Sequence, residues 1–521
     1  MNVRVRSISS WFWAVLLLCF GTTLLSAQSS WTTVVNNGDY MPGTLSLFNS
    51  YNQPSVNSLG VVAFRARSKG GSGEPVHGIY SRNMLIRNST VTRIFDKSTA
   101  VPQPNNLDAT FIEFPSFPRI DLLTSTVVTR GASQPVWRYT LANGTDTRVG
   151  TSAVFAAERQ GPLVAASQLG PVPGYQYFQV PGAQVGTKFD QFPGAPAISG
   201  NLVVFKGNYT EGGLSKTGVY FRNPLTQRGS AVTQLIANTN TRIPNQPNTQ
   251  NLTFGSTAPP SAALGMMVFA GFDNEDNPSF GGIYLAPIAA SPALRTLVGI
   301  GDQVPGEPGG TGFNRFGESL GFDGRFVSFW GAWGGETRDL TLTCPTDGNK
   351  DLITYCNQQY PNGYLAKVPI HQGIFVYDTL TRRTTPIAKS PSDFDDFLYW
   401  TFSGKAPGSE GSQDGEPARW RSSAFAAASG LLRFQVVFKA REGTVDGIYA
   451  VSSTALKSIA TLADTTMTGR ALDPEAPVGS FISSVGIERE GLRMGWVVIT
   501  ASMLDPLTSE SWGGIYVRRL P

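Results

Sequence analysis

The sequence predicts an all-β fold: a seven-bladed β-propeller with four-stranded blades, closed by the N-terminal strand joining the last blade. Three observations predict it. A strand-like phrase recurs seven times, glycine (57) and proline (35) are frequent among the 521 residues, and the two ends of the chain carry complementary parts of one repeat. Short strands that repeat at a regular spacing and are separated by turns are typical of propellers.

Each repeat is predicted to contain four strands, A to D in chain order. A short inner strand comes first, an apolar phrase such as residues 61–67 or 436–441 forms strand B, and an alternating phrase such as residues 91–95 forms strand D. Within strand B, Arg65 and Lys439 are expected to be exposed charges. Strand C is the phrase Gly-(Ile/Val)-(Tyr/Phe), expected at residues 78–80, 135–139 in a divergent form, 218–220, 282–284, 373–375, 447–449 and 514–516.

The ends of the chain indicate how the array closes. Residues 32–36 have the form of a D strand, whereas the chain stops after the C strand at residues 514–518. The first strand is therefore expected to pair with the last, which leaves no open blade edge. A linear solenoid would instead need capping repeats. Because residues 145–191 diverge from the repeat, six and eight blades are the alternatives to seven.

The N-terminus has the pattern of a secretory signal peptide. Residues 1–10 carry Arg4 and Arg6 without an acid, residues 11–25 are apolar, and Ala27 offers a small residue for cleavage. We therefore expect a signal peptide at residues 1–27, one propeller domain at residues 28–521 and an extracellular location. No other stretch is apolar for long enough to span a bilayer, so no membrane span is expected after cleavage.

The mature chain keeps two cysteines, Cys344 and Cys356, which are predicted to form a disulfide in an oxidising compartment. A zinc site is disfavoured because the chain contains only two histidines, His77 and His371. Both precede a predicted C strand, so their position in the repeat explains them without catalysis. Formal net charge is +4 with no run of Lys or Arg, which disfavours a nucleic-acid partner.

Residues 57–66 read Asn-Ser-Leu-Gly-Val-Val-Ala-Phe-Arg-Ala. This span resembles the Asn-x-x-Gly-x-x-Ala-Phe-Arg-Ala tandem repeat of a family of secreted, mainly bacterial proteins, and the Gly-Ile-Tyr phrase after it is also similar to that family. The resemblance covers nearly the whole mature chain, although the full motif stands only in the first repeat and Ala262 replaces the Asn in the fourth. It implies a propeller-like repeat array, with no activity and no catalytic residues.

The long loops are predicted to share one face. In a propeller, the A–B and C–D turns lie on one face and the B–C and D–A loops on the other, and here the A–B turns are tight. Two insertions, at residues 330–372 and 390–420, belong to the B–C/D–A face, and loops on a rigid scaffold are the usual place for binding. The binding residues predicted there are Glu336, Asp339, Asp395, Asp396, Trp400 and Trp420.

Calcium is the one cofactor that the spacing of oxygen ligands suggests. Asp347, Asn349 and Asp351 stand at alternate positions, and residues 273–277 have the same spacing. Neither stretch has the glycine and distal glutamate of an EF-hand loop, so solvated surface acids are the other interpretation. The recurrent Phe-x-x-Phe phrase, as at Phe111 and Phe114, is expected to pack between blades rather than to bind sugars.

Together these features favour a secreted binding or scaffolding propeller that recognises an extracellular glycan, a matrix polymer or a protein through its long-loop face. The alternative is a secreted polysaccharide hydrolase or lyase that uses loop carboxylates, and an acidic pair facing each other across the central opening would favour it. A structural surface protein is the third hypothesis. The N-glycosylation sequons, which matter only in a eukaryotic source, are at Asn88, Asn143, Asn208 and Asn251.

Overall fold

The computed structural model describes residues 30–521 except for residues 71–74, 151, 159–160, 226–231, 248, 347–349, 405–417, 431–433 and 453–457. The predicted signal peptide lies outside the described residues. Seven small antiparallel sheets form a ring, so the predicted seven-bladed propeller is confirmed. No helix within the described ranges is long and apolar enough to cross a membrane.

Each blade is a meander in which strand B pairs with A and C, and strand C pairs with D. Blade 1 contains Phe48–Tyr51 and Ser55–Val56 (A), Val61–Ser68 (B), His77–Asn83 (C) and Thr92–Asp96 (D); blade 2 contains Phe111–Glu113 and Arg119–Ile120, Val127–Ser133, Ser152–Glu158 and Gly161–Ser167; blade 3 contains Ala197–Ser199, Leu202–Glu211, Leu214–Arg222 and Gln234–Asn238; blade 4 contains Ser256–Thr257 and Ser261–Ala263, Met266–Phe272, Gly281–Pro287 and Arg295–Gly299. Blade 5 contains Phe313–Phe316 and Gly321–Phe322, Phe326–Trp333, Gln372–Asp378 and Arg383–Ser390; blade 6 contains Ala426–Ser429, Gln435–Glu442, Val445–Ser452 and Ala460–Asp464; blade 7 contains Phe481–Gly486 and Leu492–Arg493, Trp496–Leu504, Ser511–Arg519 and, as its D strand, Thr32–Asn36.

The inner strands establish the number of blades. The short inner segment of every blade contacts that of the next blade, and the segment of blade 7 contacts that of blade 1. The contacts form one closed circuit, which leaves no place for a six-bladed or eight-bladed arrangement.

The predicted C strand of the second repeat was wrong. Residues 135–139 alternate in polarity, but Trp137–Thr140 pairs only with Asp146–Val149 in a separate hairpin. The C strand of blade 2 is Ser152–Glu158, which pairs along its length with strand B and buries Val154, Phe155 and Ala156. Burial between neighbouring strands, rather than alternation, decided which segment joined the blade.

The glycine of the Gly-Ile-Tyr phrase is needed because strands C and D approach closely there. A Cβ added at Gly282 would lie 2.1 Å from the carbonyl oxygen of Val298, and one at Gly514 would lie 2.7 Å from that of Val35. One residue later, the C–D register skips a residue of strand D in blades 1, 3, 4, 5, 6 and 7, which is a β-bulge. The repeated phrase therefore encodes a bulged C–D pair.

Replacing Gly282 with alanine is expected to lower the free energy of unfolding by about 1–3 kcal/mol, because the added methyl group must displace backbone. Urea unfolding measures the change. The control is Gly309→Ala, since a Cβ at Gly309 meets no atom within 4 Å. Equal stability of the two variants would contradict this account of the repeat.

The N-terminal strand closes the ring, as the sequence predicts. Thr32–Asn36 pairs antiparallel with Ser511–Arg519 and buries Val34 and Val35 completely. The fully buried Asp473 carboxylate accepts hydrogen bonds from Asn36 Nδ2 (3.0 Å) on one strand and from Trp512 Nε1 (2.9 Å) and Tyr516 OH (3.0 Å) on the other. One carboxylate thus joins both ends of the chain.

The tight A–B turns are hydrogen-bonded from blade to blade. At four junctions, a backbone N–H in one turn donates to an Asp or Ser side chain in the neighbouring turn, and at a fifth a Ser hydroxyl donates to a carbonyl group. The bonds join Gly200 to Asp121, Gly265 to Ser199, Gly430 to Asp323, Met494 to Ser429 and Ser58 to Leu122. These turns therefore lie together on one face, around the axis.

A buried group of charged side chains, here called the central charge cluster, occupies the middle of the ring. Arg119 of blade 2 is fully buried and donates to Glu488 (2.7 Å) and Glu490 (2.9 Å) of blade 7. It also donates to the Ser261 hydroxyl of blade 4 at 3.2 Å, and Arg489 donates to carbonyl groups of blades 4 and 5. Because blade 2 is adjacent to neither blade 4 nor blade 7, these contacts span the axis.

The expectation that Arg65 and Lys439 are exposed was wrong. Both side chains are nearly buried; Arg65 pairs with Glu113 of blade 2, and the Lys439 ammonium lies 3.6 Å from the centre of the Tyr399 ring. Burial opposes ionisation of Glu113, but the neighbouring arginines outweigh it and lower the pKa of Glu113 to about 2. Burial lowers the pKa of Lys439 to about 8, against the attraction of Asp446. These charges join neighbouring elements instead of facing water.

Candidate binding cleft

Both predicted insertions form hairpins on the B–C/D–A face. The insertion of blade 5 pairs Thr337–Leu342 with Tyr364–Pro369 and carries the helix Lys350–Gln359, and the predicted disulfide between Cys344 and Cys356 is present. The insertion that leads into blade 6, here called the D–A insertion, pairs Tyr399–Ser403 with Arg419–Ser423.

Aromatic side chains join the two hairpins. Tyr364 of the blade 5 insertion stacks with Trp420 of the D–A insertion at a centroid distance of 6.3 Å and an interplanar angle of 15°. Tyr360 lies 6.0 Å from Phe402, and Phe402 lies 5.3 Å from Trp420. With the disulfide, this cluster holds the two insertions as one unit.

A cleft of about 260 Å³ opens where blades 4 and 5 meet the D–A insertion. Its apolar lining includes the half-buried Trp400 and the buried Trp330, whose indole N–H donates to Gln372 Oε1 at 2.8 Å. Phe272 and Phe316 stack on each other beside it at an angle of 11°. The cleft thus has an aromatic wall held by the propeller core.

The polar lining of the cleft is exposed and mostly unengaged. The carboxylates of Glu275, Asp276 and Glu318 and the guanidinium of Arg315 line it and form no ion pair with any residue in the described ranges. Lys367, also in the lining, pairs with Asp339. Hydrogen-bonding groups of both signs are therefore free to meet a ligand.

Two of the predicted acids accept hydrogen bonds from the fold, and one of them is buried. Asp396 is 3% exposed, and its carboxylate accepts hydrogen bonds from Arg338, from Gln372 Nε2 (2.9 Å) and from the Leu398 N–H (2.8 Å). Asp395 accepts from the Gly443 N–H at 2.7 Å. The Asp396 carboxylate is therefore used within the protein, whereas Asp395 is exposed and is anchored by this one hydrogen bond.

The other predicted residues are more exposed. Glu336 is 75% exposed by its side chain and lies 3.7 Å from His371 Nε2, and Asp339 pairs with Lys367 at the edge of the cleft. Trp400 lines the cleft, whereas Trp420 belongs to the aromatic cluster between the insertions. The structure therefore brings one predicted residue, Trp400, into the cleft lining.

Of the predicted calcium ligands, Asp347 and Asn349 lie outside the described residues, and Asp351 is in the first turn of the helix. In the similar stretch at residues 273–277, Asp273 accepts from the N–H groups of Ser279 and Phe280 and so stabilises its own loop. Within the described ranges, no three His, Cys, Asp or Glu side chains are grouped to hold a metal ion.

The two histidines differ in surroundings. His77 is 4% exposed and lies 3.8 Å from Glu113, and its burial, with Arg67 and Arg65 nearby, lowers its pKa to about 4 in spite of Glu113. The His77 side chain is therefore neutral at physiological pH. It lies far from the cleft, at the junction of blades 1 and 2. His371 packs on Trp333 at a centroid distance of 6.1 Å.

Two further cavities lie on the same face and are less suited to a ligand. One, of about 330 Å³, is lined by Arg338, Asp395 and Arg441, which are already engaged with Asp396, Gly443 and Asp446. The other, of about 280 Å³ between blades 2 and 3, has Phe189 as its one aromatic lining residue, and that ring is fully buried.

Sequence reasoning missed four of the cleft residues, namely Glu275, Asp276, Arg315 and Glu318. Glu275 stood out only through its spacing from Asp273, and Arg315 and Glu318 belong to the ordinary beginning of blade 5. No pattern in the sequence marks them, since they converge from two blades. Of the sequons, Asn88, Asn143 and Asn251 are exposed, whereas Asn208 is half-buried in strand B of blade 3.

No protein-family model matches the chain, and no curated protein matches it. Solved structures that align with it include the α-L-arabinofuranosidase PaAbf62A from Podospora anserina (8% identity, 68% of this chain and 96% of that chain, TM-score 0.24). Another is the GH32 β-fructofuranosidase BmSUC1 from Bombyx mori (10% identity, 95% of this chain and 94% of that chain, TM-score 0.25). A third is the Nup133 β-propeller domain from Vanderwaltozyma polyspora (8% identity, 95% of this chain and 99% of that chain, TM-score 0.25). These values are too low to carry an argument about ligand or activity.

Proposed function

We propose that this chain is a secreted β-propeller that binds an extracellular glycan in the cleft between blades 4 and 5 and the D–A insertion. The composition of the cleft carries the proposal: Trp400 lies with the unpaired groups Glu318 and Arg315 in one cavity of about 260 Å³. The apolar face of a sugar ring packs on an indole, and its hydroxyl groups hydrogen-bond to carboxylate and guanidinium groups.

The construction of the insertions supports binding by a preorganised surface. The disulfide between Cys344 and Cys356 and the stacked pair Tyr364 and Trp420 restrain the hairpins before a ligand arrives. Restraint of this kind lowers the entropy lost on binding. The disulfide also agrees with the oxidising, extracellular compartment that the proposal includes.

Hydrolysis is the competing function. The carboxylates that reach the middle of the ring, Glu488 and Glu490, are 3% and 2% exposed and are bound to Arg119. These two residues therefore do not provide an acidic pair that a substrate could reach across the central opening, which is the arrangement that would favour a hydrolase. The carboxylates of the cleft are the remaining candidates for catalysis.

Replacing Trp400 with alanine is expected to weaken glycan binding about tenfold or more, because truncating a buried aromatic contact in a binding site costs roughly 2 kcal/mol. A glycan array identifies the ligand, and calorimetry then compares the variants. The matched control is Trp137→Ala, since Trp137 is also a half-buried tryptophan in an inserted hairpin, but in blade 2.

Incubating the protein with the polysaccharide that the array identifies, followed by analysis of the products, tests the competing function. Retention of a polysaccharide without shortened products supports a binding protein, whereas product release that Glu318→Gln abolishes would favour a hydrolase. Equal loss of binding in the Trp400 and Trp137 variants, with unchanged thermal melting, would contradict the assignment of the cleft.

A further inference from the structure

The A–B and C–D turns form the face opposite to the cleft, here called the turn face, and free carboxylates are scarce among the side chains described on it. Among the described side chains of this face, the one carboxylate that is not buried is that of Asp378, and it pairs with Arg325 at 2.8 Å. Asp121 and Asp323 are buried and accept hydrogen bonds from turn N–H groups. The exposed acidic side chains of the cleft have no counterpart among the side chains described on this face.

Exposed arginines stand on the turn face without an ion pair in the described part of the chain. Arg87 lies in the C–D turn of blade 1, and Arg382 and Arg383 lie at the C–D turn of blade 5. With the scarcity of free carboxylates among the described side chains, they make this face cationic.

Apolar side chains project from the same turns. Leu59, Leu123 and Leu264, at the A–B turns around the axis, are 47%, 56% and 59% exposed. At C–D turns, Ile86 is 60% and Leu380 is 73% exposed. Exposed leucines also occur on the cleft face, but they are accompanied there by free carboxylates.

We infer that the turn face docks on the surface of an anionic lipid bilayer. Leucine and isoleucine tips can enter the boundary between headgroups and acyl chains, and arginines are attracted to anionic headgroups. A second copy of this chain fits less well, because a twofold interface would place the same arginine-bearing face against itself. Because the cleft lies on the opposite face, it points away from a membrane on which the turn face docks.

Vesicle sedimentation tests this inference. Residues 28–521, which contain the whole described ring, are mixed with phosphatidylcholine vesicles with or without phosphatidylglycerol as a minority component. We expect binding only to the anionic vesicles, decreasing as salt is added. Arg382→Gln and Arg383→Gln should each weaken it about fivefold. Leu85 is 58% exposed beside Ile86 in the C–D turn of blade 1, and Leu85→Ser with Ile86→Ser should weaken binding further.

The controls lie on the other face. Leu507, in the B–C loop of blade 7, is 90% exposed, and Arg148 is an exposed arginine of the blade 2 hairpin. Leu507→Ser and Arg148→Gln should leave vesicle binding unchanged. The inference is overturned if the anionic vesicles are not bound, if variants of both faces weaken binding equally, or if the turn-face variants instead dissociate a dimer in sedimentation velocity. Thermal melting of each variant shows that the fold is intact.

Discussion

Replacing Arg119 with methionine is expected to lower the free energy of unfolding by about 3–5 kcal/mol, the usual cost of removing one partner from a buried ion pair. The Arg119 guanidinium holds the buried carboxylates Glu488 and Glu490 and joins blade 2 to blade 7 across the axis. Without it, the nearest cationic groups to these carboxylates are Arg489 at 3.5 Å and Arg493 at 3.6 Å. Urea unfolding followed by tryptophan fluorescence measures the loss.

The loss of unfolding free energy in the Arg119→Met variant is expected to grow as pH rises. Burial raises the pKa of Glu488 even with Arg119 present, and removing the cation raises it further. The pKa of a glutamate in the unfolded chain is about 4.3. A carboxyl group whose pKa is higher in the folded state contributes stability while protonated and loses that contribution as pH rises through the folded pKa. Because the unfolded-state titration is common to both proteins, the variant should lose stability relative to the wild type as pH rises through the raised pKa that Glu488 has in the wild type.

Removing the two charges provides the control. Glu488→Gln and Glu490→Gln, added to Arg119→Met, should recover part of the lost stability and remove its dependence on pH. A loss below about 1 kcal/mol in the single variant, the range of surface ion pairs, would contradict a structural role for the central charge cluster.

Deleting residues 28–37 is expected to cost at least about 5 kcal/mol of unfolding free energy. The deletion removes Val34 and Val35, each worth about 1.5–3 kcal/mol when buried, and several hydrogen bonds worth about 1 kcal/mol each. It also leaves Ser511–Arg519 as an open sheet edge and takes the Asn36 amide from the buried Asp473. Thermal melting should show a large decrease in transition temperature.

A peptide of residues 28–38, added to the shortened protein, should restore part of the melting temperature by pairing with the open edge. A peptide in which Val34 and Val35 are both replaced by serine is the control, since these two side chains are fully buried in the closed blade. An unchanged melting temperature after the deletion would contradict closure by the N-terminal strand.

The residues of the site show how far sequence patterns reach. Trp400 could be predicted because it lies in a long insertion on the loop-bearing face. Asp396 had the same features in the sequence, yet it is buried under hydrogen bonds from Arg338, Gln372 and Leu398. Whether a loop acid is free for a ligand depends on partners from other segments, and those are not encoded in its own neighbourhood.

By itself, the sequence determined the strand phrases outside the second repeat, the disulfide and the closure by complementary ends, and it favoured seven blades, because each is a local pattern or a matter of where the repeat starts and stops. Tertiary structure alone decided that Ser152–Glu158 joins blade 2, that Arg119 meets Glu488 and Glu490 across the axis, and that Arg315 and Glu318 line the cleft with Trp400. The physical reason is that burial and ion pairing depend on segments distant in the chain, which meet only when the ring closes.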